Sequence, residues 1–316
     1  MPDIIDKNRG TLGLFAIVTI ALALLPFVVS DYSISFFYLM FANIALATAW
    51  SFFSGATRYI SLATSAFYGI GVYALAISHQ YMPIAIALVL AAIIGFLVAA
   101  LVGLSTLRLR GVYFVIFTFG LTELFHQVIN WWEIKINHTA TRYIFSDVSN
   151  TTIYLTLLAV AVATVVGSWY VSQSRLGYAL RAIGEDETVA RHTGINTTWV
   201  KVLCFALSAA AMALVGAVLV LRFPYIDAPT AFNSSWSFQV LIAALLGGPG
   251  RYWGPMIGAI PLVVLSEILA GTRYFSIILG LCFVVIVYFI PGGLAPLIER
   301  HWQSLWRRVR EKAFVP

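Results

Sequence analysis

The residues best able to do chemistry are crowded into one polar stretch, residues 172–198, which reads SQSRLGYALRAIGEDETVARHTGINTT. The chain as a whole is 61% hydrophobic and only 10% charged. The ionisable side chains of this stretch are Arg175, Arg181, Glu185, Asp186, Glu187, Arg191 and His192. They form no catalytic constellation, so two interpretations stay open for this mixture of acids and bases: a surface that recognises another protein, and a solvated segment at the membrane surface.

Spacing predicts two short helices in this stretch. The first has one apolar stripe, because four residues recur at i, i+3, i+4 and i+7: Leu176, Ala179, Leu180 and Ile183. Gly184 should end it, and the acids 185–187 then occupy the first turn of a second helix, where the helix dipole favours negative charge. Gly194 suits the positive φ that often follows a helix. Such a pair fits a groove on another protein, and a solvated helix lying on the membrane surface is an equal alternative.

Glu123 and His126 are the second candidate pair. They lie three residues apart in an apolar segment, so they share one helical face and can interact. Ionisable residues inside a membrane span often mark a proton relay. A simple hydrogen bond between helices is the favoured interpretation, because a relay usually needs more than one such pair.

The elements that must position these residues are membrane helices. A helix needs about 20 apolar residues to span a bilayer. We predict spans at 11–30, 34–53, 59–78, 82–105, 112–130, 151–172, 199–221, 237–250, 252–271 and 273–291. The eighth is too short to cross alone, which indicates a re-entrant or broken helix. The sequence therefore predicts an all-α polytopic membrane protein with roughly 8–10 transmembrane helices, forming a single domain over residues 1–316.

The distribution of Lys and Arg predicts the orientation. With the N-terminus in the cytoplasm, only Lys135, Arg142, Arg222 and Arg273 fall outside, and the other 15 of the 19 basic residues fall inside. This places the segment 173–198 and both termini in the cytoplasm. The basic tail at 299–316 is predicted to contact anionic lipid. Because the basic residues are scattered among membrane segments, the net charge of +6 is not a nucleic-acid signal.

Helix-breaking residues suggest where a translocation path lies. Gly69 and Gly71 fall inside the third span, the run 247–250 ends the eighth, and Pro261 interrupts the ninth. The candidate path residues are Glu123 and His126 of the fifth span and, in the third span, Ser61, Thr64, Ser65, Tyr68, Gly69, Gly71 and Tyr73. Helix packing is the rival explanation for its glycines. Two ridges with a small residue at every fourth position, Ala91–Gly103 and Gly250–Gly258, also indicate close packing.

Several kinds of chemistry are missing from the sequence. No Lys precedes Ser or Thr, so there is no Walker A motif. There is no H-E-x-x-H, no zinc-type Cys/His spacing and no G-x-S-x-G elbow. We therefore expect no catalytic residues, no bound metal and no cofactor on this chain. A polytopic bundle of this kind needs a partner that supplies energy.

Four ordered stretches carry a resemblance to a known family. They are SLATSAFYGIGVYA (61–74), LRLRGVYFVIFTFG (107–120), RAIGEDETVARHTGIN (181–196) and ALLGGPGRYWGPMIGA (244–259). Together they resemble the M-type permease subunits of bacterial high-affinity branched-chain amino acid ABC transporters. The chain departs from the family pattern at Arg58 and Ala63, where glycines are usual, and at 136–141.

The resemblance implies the remaining partners and roles. A paralogous permease subunit, two cytoplasmic ATPases that bind ATP and Mg, and a periplasmic substrate-binding protein would complete a transporter of the bacterial inner membrane. The residues implied in coupling to an ATPase are Arg181, Gly184, Glu185, Asp186, Glu187, Arg191 and Gly194. The implied substrate is a small polar solute: a branched-chain or related amino acid, an amide or urea, or an organic acid. The alternative function is a stand-alone secondary carrier or channel that uses Glu123 and His126.

Overall fold

The computed structural model describes residues 13–269, except 14, 145–147 and 249, together with scattered positions between 277 and 296. The polar stretch 172–198 lies entirely within these residues. The predicted tenth span lies mostly outside them, and the basic tail at 299–316 lies wholly outside them.

The described chain folds almost entirely as helices. Their bounds are α1 (Phe15–Phe27), α2 (Asp31–Trp50), α3 (Thr64–Ser78), α4 (Ile84–Thr106), α5 (Val112–Lys135), α6 (Asn150–Ser172), α7 (Arg175–Glu185), α8 (Glu187–His192), α9 (Thr197–Leu219), α10 (Ala228–Ala231), α11 (Ser235–Gly247) and α12 (Gly254–Ile268). A π-helical turn, Ser51–Gly55, extends α2. Two short strands, β1 (Arg142–Tyr143) and β2 (Tyr225–Ile226), pair antiparallel.

Several of these helices are long and apolar enough to cross a membrane. Among the described residues, they are α2 with its π-turn, α4, α5, α6 and α9, and α1, α3 and α12 are shorter apolar helices. The 13 residues of α11 are too few to span alone, as the sequence predicts for the eighth segment. The prediction of an all-α polytopic membrane protein is confirmed.

Helix α9 lies at the centre and packs against α2, α3, α4 and α6. Small residues allow this close packing. A Cβ at Gly71 of α3 would overlap the backbone of Ala213 in α9, and a Cβ at Gly95 of α4 would lie 2.5 Å from the Cβ of the same alanine. The ridge Ala91–Gly103 is buried at every fourth residue, which agrees with its predicted packing role.

Two helices continue through residues that the sequence suggests as breaks. Helix α3 runs uninterrupted through Gly69 and Gly71, because both glycines make room for a neighbouring side chain or backbone and neither bends the chain. The interruption falls before them, in a non-helical segment at residues 58–63 (the break), where Arg58 has a positive φ of 61°. Pro261 lies within α12, which continues to Ile268.

The end of the bundle that carries β1 and β2 is held by polar contacts. Buried Glu133, near the end of α5, accepts a hydrogen bond of 3.0 Å from Arg142 Nε. The strand pair joins the loop after α5 to the loop after α9. The coupling segment (residues 173–198), which contains α7 and α8, packs on residues of the α2 and α4 ends that lie away from this sheet.

Candidate coupling segment and translocation path

The coupling segment folds as α7 and α8, which meet at Asp186. This carboxylate accepts hydrogen bonds from the backbone N–H groups of Thr188 (2.7 Å) and Val189 (3.1 Å), and these bonds lower the pKa of Asp186. It is therefore the N-cap of α8. Gly194 has a φ of 87° just after the helix end, as predicted.

The apolar face of α7 packs onto the membrane helices. Leu180 and Ile183 are buried, as the spacing predicts. Gly184 does not end the helix, which continues to Glu185. A Cβ at Gly184 would overlap the carbonyl oxygen of Ala56, so the glycine allows α7 to contact the end of α2. The coupling segment therefore contacts the bundle at Ala56, just before the break.

The opposite face of the segment is exposed. Five of the predicted coupling residues lie there: Arg181, Glu185, Asp186, Arg191 and Gly194. The Arg181 guanidinium donates a 2.7 Å hydrogen bond to the carbonyl of Ser172 and lies 4.8 Å from the Tyr178 ring centroid. Tyr178 and Val189 are 62% and 58% exposed, so this charged face also exposes large apolar side chains.

Glu187 differs from the other predicted coupling residues because its side chain is only 8% exposed. It accepts hydrogen bonds from Lys201 Nζ (2.8 Å) and from the Tyr59 hydroxyl (2.7 Å). Burial alone would raise the pKa of Glu187, but these two donors and the positive charge of Lys201 lower it to about 2. The carboxylate of Glu187 therefore faces the interior of the protein, and its part in coupling to an ATPase stays a prediction.

Lys201 and Tyr59 are functional candidates that sequence reasoning missed. A signal was present, since a lysine in the first turn of an apolar span requires a nearby acceptor or acid. The chain offers three acids 14 to 16 residues earlier, and only the three-dimensional packing selects Glu187 among them.

The break joins three elements through backbone hydrogen bonds. The backbone N–H of Leu62 donates to Thr118 of α5 (3.0 Å), and its carbonyl accepts from Ser237 of α11 (2.9 Å). The hydroxyl of Ser237 also accepts from the backbone N–H of Ser65 (2.9 Å) and contacts its hydroxyl. The N-terminal ends of α3 and α11 therefore meet inside the bundle, as in the discontinuous helices of transporters.

The other predicted path residues on α3 are buried. Tyr68 stacks on Trp236 with ring centroids 5.5 Å apart, and Tyr73 stacks on Phe232 at 5.9 Å. Gly69 makes room for the Phe232 ring. Ser61 receives the Trp50 indole N–H on its carbonyl at 2.7 Å, and Thr64 is buried with no hydrogen-bond partner for its hydroxyl among the described residues. These residues form one cluster around the α3–α11 contact.

Glu123 and His126 lie apart from that cluster, on the outward face of α5. His126 Nδ1 is 3.3 Å from the Glu123 carboxylate, which also accepts from the Gln127 amide at 2.7 Å. The prediction that the pair interacts is confirmed, but the contact lies within one helix and does not join two. Glu123 is 58% exposed on this chain. The described residues contain no group of three or more His, Cys, Asp or Glu that could hold a metal ion.

The known proteins most relevant for comparison are all described as permease proteins. The chain is 28% identical to the high-affinity branched-chain amino acid transport system permease protein LivM of Salmonella typhimurium, over 92% of this chain and 76% of that protein. It is 31% identical to LivH of Escherichia coli K12 over 46% and 47% of the two chains, and 29% identical to the ribose import permease protein RbsC of that strain over 36% and 38%. These relatives are permease subunits, not enzymes.

No solved structure matches the chain at a significant level. The family described as "Branched-chain amino acid transport system / permease component" matches residues 32–287, which include every helix from α3 to α12, nearly all of α2 and the whole coupling segment. The chain belongs to this family of transport-system permease components.

Proposed function

We propose that this chain is a membrane subunit of an ATP-driven importer in the bacterial inner membrane. The observation that carries the proposal is the coupling segment, whose apolar face packs on the bundle while its opposite face presents Tyr178, Glu185 and Val189. An exposed surface with aromatic and aliphatic anchors and a charged rim fits a groove on another protein. The names of the relatives LivM and LivH support a transport role.

The partners follow from this assignment. Two cytoplasmic ATPases bind ATP and Mg, a periplasmic binding protein delivers the substrate, and a paralogous permease completes the membrane part. The occurrence of both LivM and LivH among the relatives supports the paralogous partner. ATP and the binding protein act by favouring one of two states of the bundle, since a ligand shifts a conformational equilibrium only through its differential affinity. The substrate is a branched-chain or related amino acid, an amide or urea, or an organic acid.

The orientation places the coupling segment and both termini in the cytoplasm. The excess of Lys and Arg on that side supports it. A cysteine replacing exposed Glu185 should react with a membrane-impermeant thiol reagent only after the inner membrane is opened, whereas one replacing exposed Tyr225 should react in intact spheroplasts. The reverse pattern would contradict the orientation.

The translocation path runs beside the break and the α3–α11 contact. A non-helical segment at membrane depth is tolerated where protein or a water-filled path satisfies its backbone, and the backbone of Leu62 is satisfied by Thr118 and Ser237. The predicted path residues from Ser61 to Tyr73 surround this point. The outward face of α5, with Glu123 and His126, forms the second wall, toward the paralogous subunit.

Reconstitution into liposomes tests the proposal. The chain with its paralog, the ATPases and the binding protein should take up radiolabelled substrate only when ATP is enclosed with the ATPases. Val189→Arg should release the ATPases and abolish uptake, because it places a charge in an apolar contact. Tyr225→Arg, an equally exposed site at the opposite end, should leave ATPase co-purification unchanged.

The stand-alone carrier is the second candidate, and the Glu123–His126 contact is the observation that favours it. It requires uptake driven by a proton gradient in liposomes that contain this chain alone. Glu123→Gln should then abolish that uptake. Gradient-driven uptake without ATPases would overturn the importer proposal.

A further inference from the structure

Three separate parts of the chain converge on the side chain of Lys201. Its ammonium group donates to Glu187 Oε1 of α8 (2.8 Å), to the carbonyl of Leu107 after α4 (2.9 Å) and to the Tyr59 hydroxyl in the break (3.3 Å). A lysine has three N–H donors, and each has an acceptor here. The Lys201 side chain is 4% exposed and that of Glu187 is 8% exposed.

Because Glu187 and Lys201 are both buried, each charge depends on the other for compensation. Removing one partner of a buried ion pair leaves an uncompensated charge, whereas replacing both by apolar groups is often tolerated. The pair therefore holds α8 against the start of α9 in one arrangement. Arg110 and Arg191 also approach Glu187, at 3.4 Å and 3.1 Å, but their side chains are 59% and 62% exposed and screened by solvent.

Tyr59 extends the contact from α8 to the break. Its hydroxyl donates to Glu187 Oε2, and its ring packs edge-on against Phe114 of α5 at 5.3 Å. Three residues further on, Leu62 bonds to Thr118 and Ser237 at the α3–α11 contact. Helix α8 is thus connected to the α3–α11 contact in two steps. The first is the hydrogen bond between Glu187 and Tyr59, and the second is the short non-helical chain from Tyr59 to Leu62.

We infer that Glu187, Lys201 and Tyr59 are positioning residues that transmit movement of the coupling segment to the break, and that Glu187 acts inside the permease and not on the ATPase surface. The inference rests on the proposed function, since it presumes that an ATPase moves the segment. It assigns different roles to two acids of the same short stretch: Glu185 faces the partner, and Glu187 holds the interior.

The test uses the complete reconstituted complex and measures three quantities: ATPase co-purification, ATP hydrolysis, and substrate taken up per ATP hydrolysed. Glu187→Gln and Lys201→Met should retain the ATPases and hydrolysis but lower uptake per ATP by about tenfold, a typical coupling between sites. Tyr59→Phe, which keeps the ring and loses one hydrogen bond, should lower it several-fold. The double variant Glu187→Gln/Lys201→Met should lose less than the product of the two single losses.

Asp31→Asn is the control, because this exposed acid lies in the first turn of α2, at the opposite end of that helix from the coupling segment. It should keep the wild-type uptake per ATP. A purely structural role would lower the yield of protein without changing uptake per ATP.

If Glu187→Gln releases the ATPases while Tyr59→Phe and Lys201→Met retain them, Glu187 is a docking contact and the inference fails. If all variants fold and keep the wild-type ratio, it also fails. If the wild-type complex shows no ATP-dependent uptake, the proposed function fails instead.

Discussion

The neighbouring residues Glu185, Asp186 and Glu187 have three different environments. Glu185 is exposed, Asp186 caps a helix, and Glu187 is buried against Lys201 and Tyr59. What a carboxylate contributes to folding or to binding depends on the groups around it. Neighbouring residues of the same charge therefore need not have the same role. The signature run of acids could be predicted to matter, but which acid faces inward could not, because that depends on residues 14 positions later and 128 positions earlier.

Acid sensitivity is the first residue-scale prediction. The pKa of Glu187 is about 2 in the folded protein, against an ordinary value of 4.5. The lowered pKa contributes stability that is complete above about pH 4.5 and is lost as the pH falls toward about 2, an effect on the order of 2–3 kcal/mol. Thermal unfolding of the detergent-solubilised chain should show this loss.

The matched comparison is the double variant Glu187→Gln/Lys201→Met, whose stability should depend less on pH in that window. Glu185→Gln should keep the wild-type profile. A wild-type profile in the double variant would show that other carboxylates dominate.

Helix capping gives the second prediction. Asp186→Ala removes the acceptor for the N–H groups of Thr188 and Val189 and should destabilise the first turn of α8. Hydrogen exchange at these two amides should accelerate by about fivefold. Asp186→Asn keeps a capping oxygen and should exchange nearly as slowly as the wild type, and equal acceleration in both variants would exclude the capping role.

At the scale of elements, helix packing explains why two glycines inside α3 do not interrupt that helix. Gly69 and Gly71 lie within an intact helix, while the interruption occurs six or more residues earlier, in the break that ends at residue 63. Sequence alone could identify the helices and the short α11, because both depend on local apolar length. It could not locate the break, because the hydrogen bonds that stabilise residues 58–63 come from α5 and α11.

The packing of α3 on α9 gives the third prediction. Gly71→Ala would force a methyl group into the backbone of Ala213 and should destabilise the protein by about 1–3 kcal/mol. Gly120→Ala is the control, because a Cβ there meets no atom within 4 Å. It should be neutral or slightly stabilising, since alanine favours the helix by up to about 1 kcal/mol. Thermal unfolding in detergent measures both, and equal effects would contradict the packing role of Gly71.

At the scale of the whole molecule, two long helices present different outer faces. The exposed residues of α4 from Ile86 to Leu101 are apolar, which suits lipid. Helix α5 exposes Glu123 and Gln127 midway along its length. Because a charged side chain is costly in lipid, the α5 face requires cover by protein or access to water.

Crosslinking tests this difference. A photo-crosslinking amino acid at Gln127 should join the chain to its paralogous permease, whereas the same residue at Leu97 of α4 should react mainly with lipid. Mass analysis of the adducts distinguishes the products. Equal yields of protein adduct at both sites would contradict the assignment of the α5 face.

Composition and ordered motifs predicted the class of the whole molecule, because lipid burial and helix length follow from the sequence directly. Surfaces for other subunits could not be predicted in this way, because they depend on side chains whose exposure the sequence does not reveal. Val189 illustrates this, because its 58% exposure makes an ordinary apolar residue an anchor candidate.

The close approach of α3, α9 and α4 at Gly71, Ala213 and Gly95 also limits how this protein can diverge. Neither glycine has room for a single added carbon. Mutations that enlarge these positions should therefore be lost by selection in related proteins, whatever substrate they transport. Position 120 of α5 differs, because a Cβ added there meets no atom within 4 Å. Relatives of this chain should therefore vary more at position 120 than at positions 71 and 95.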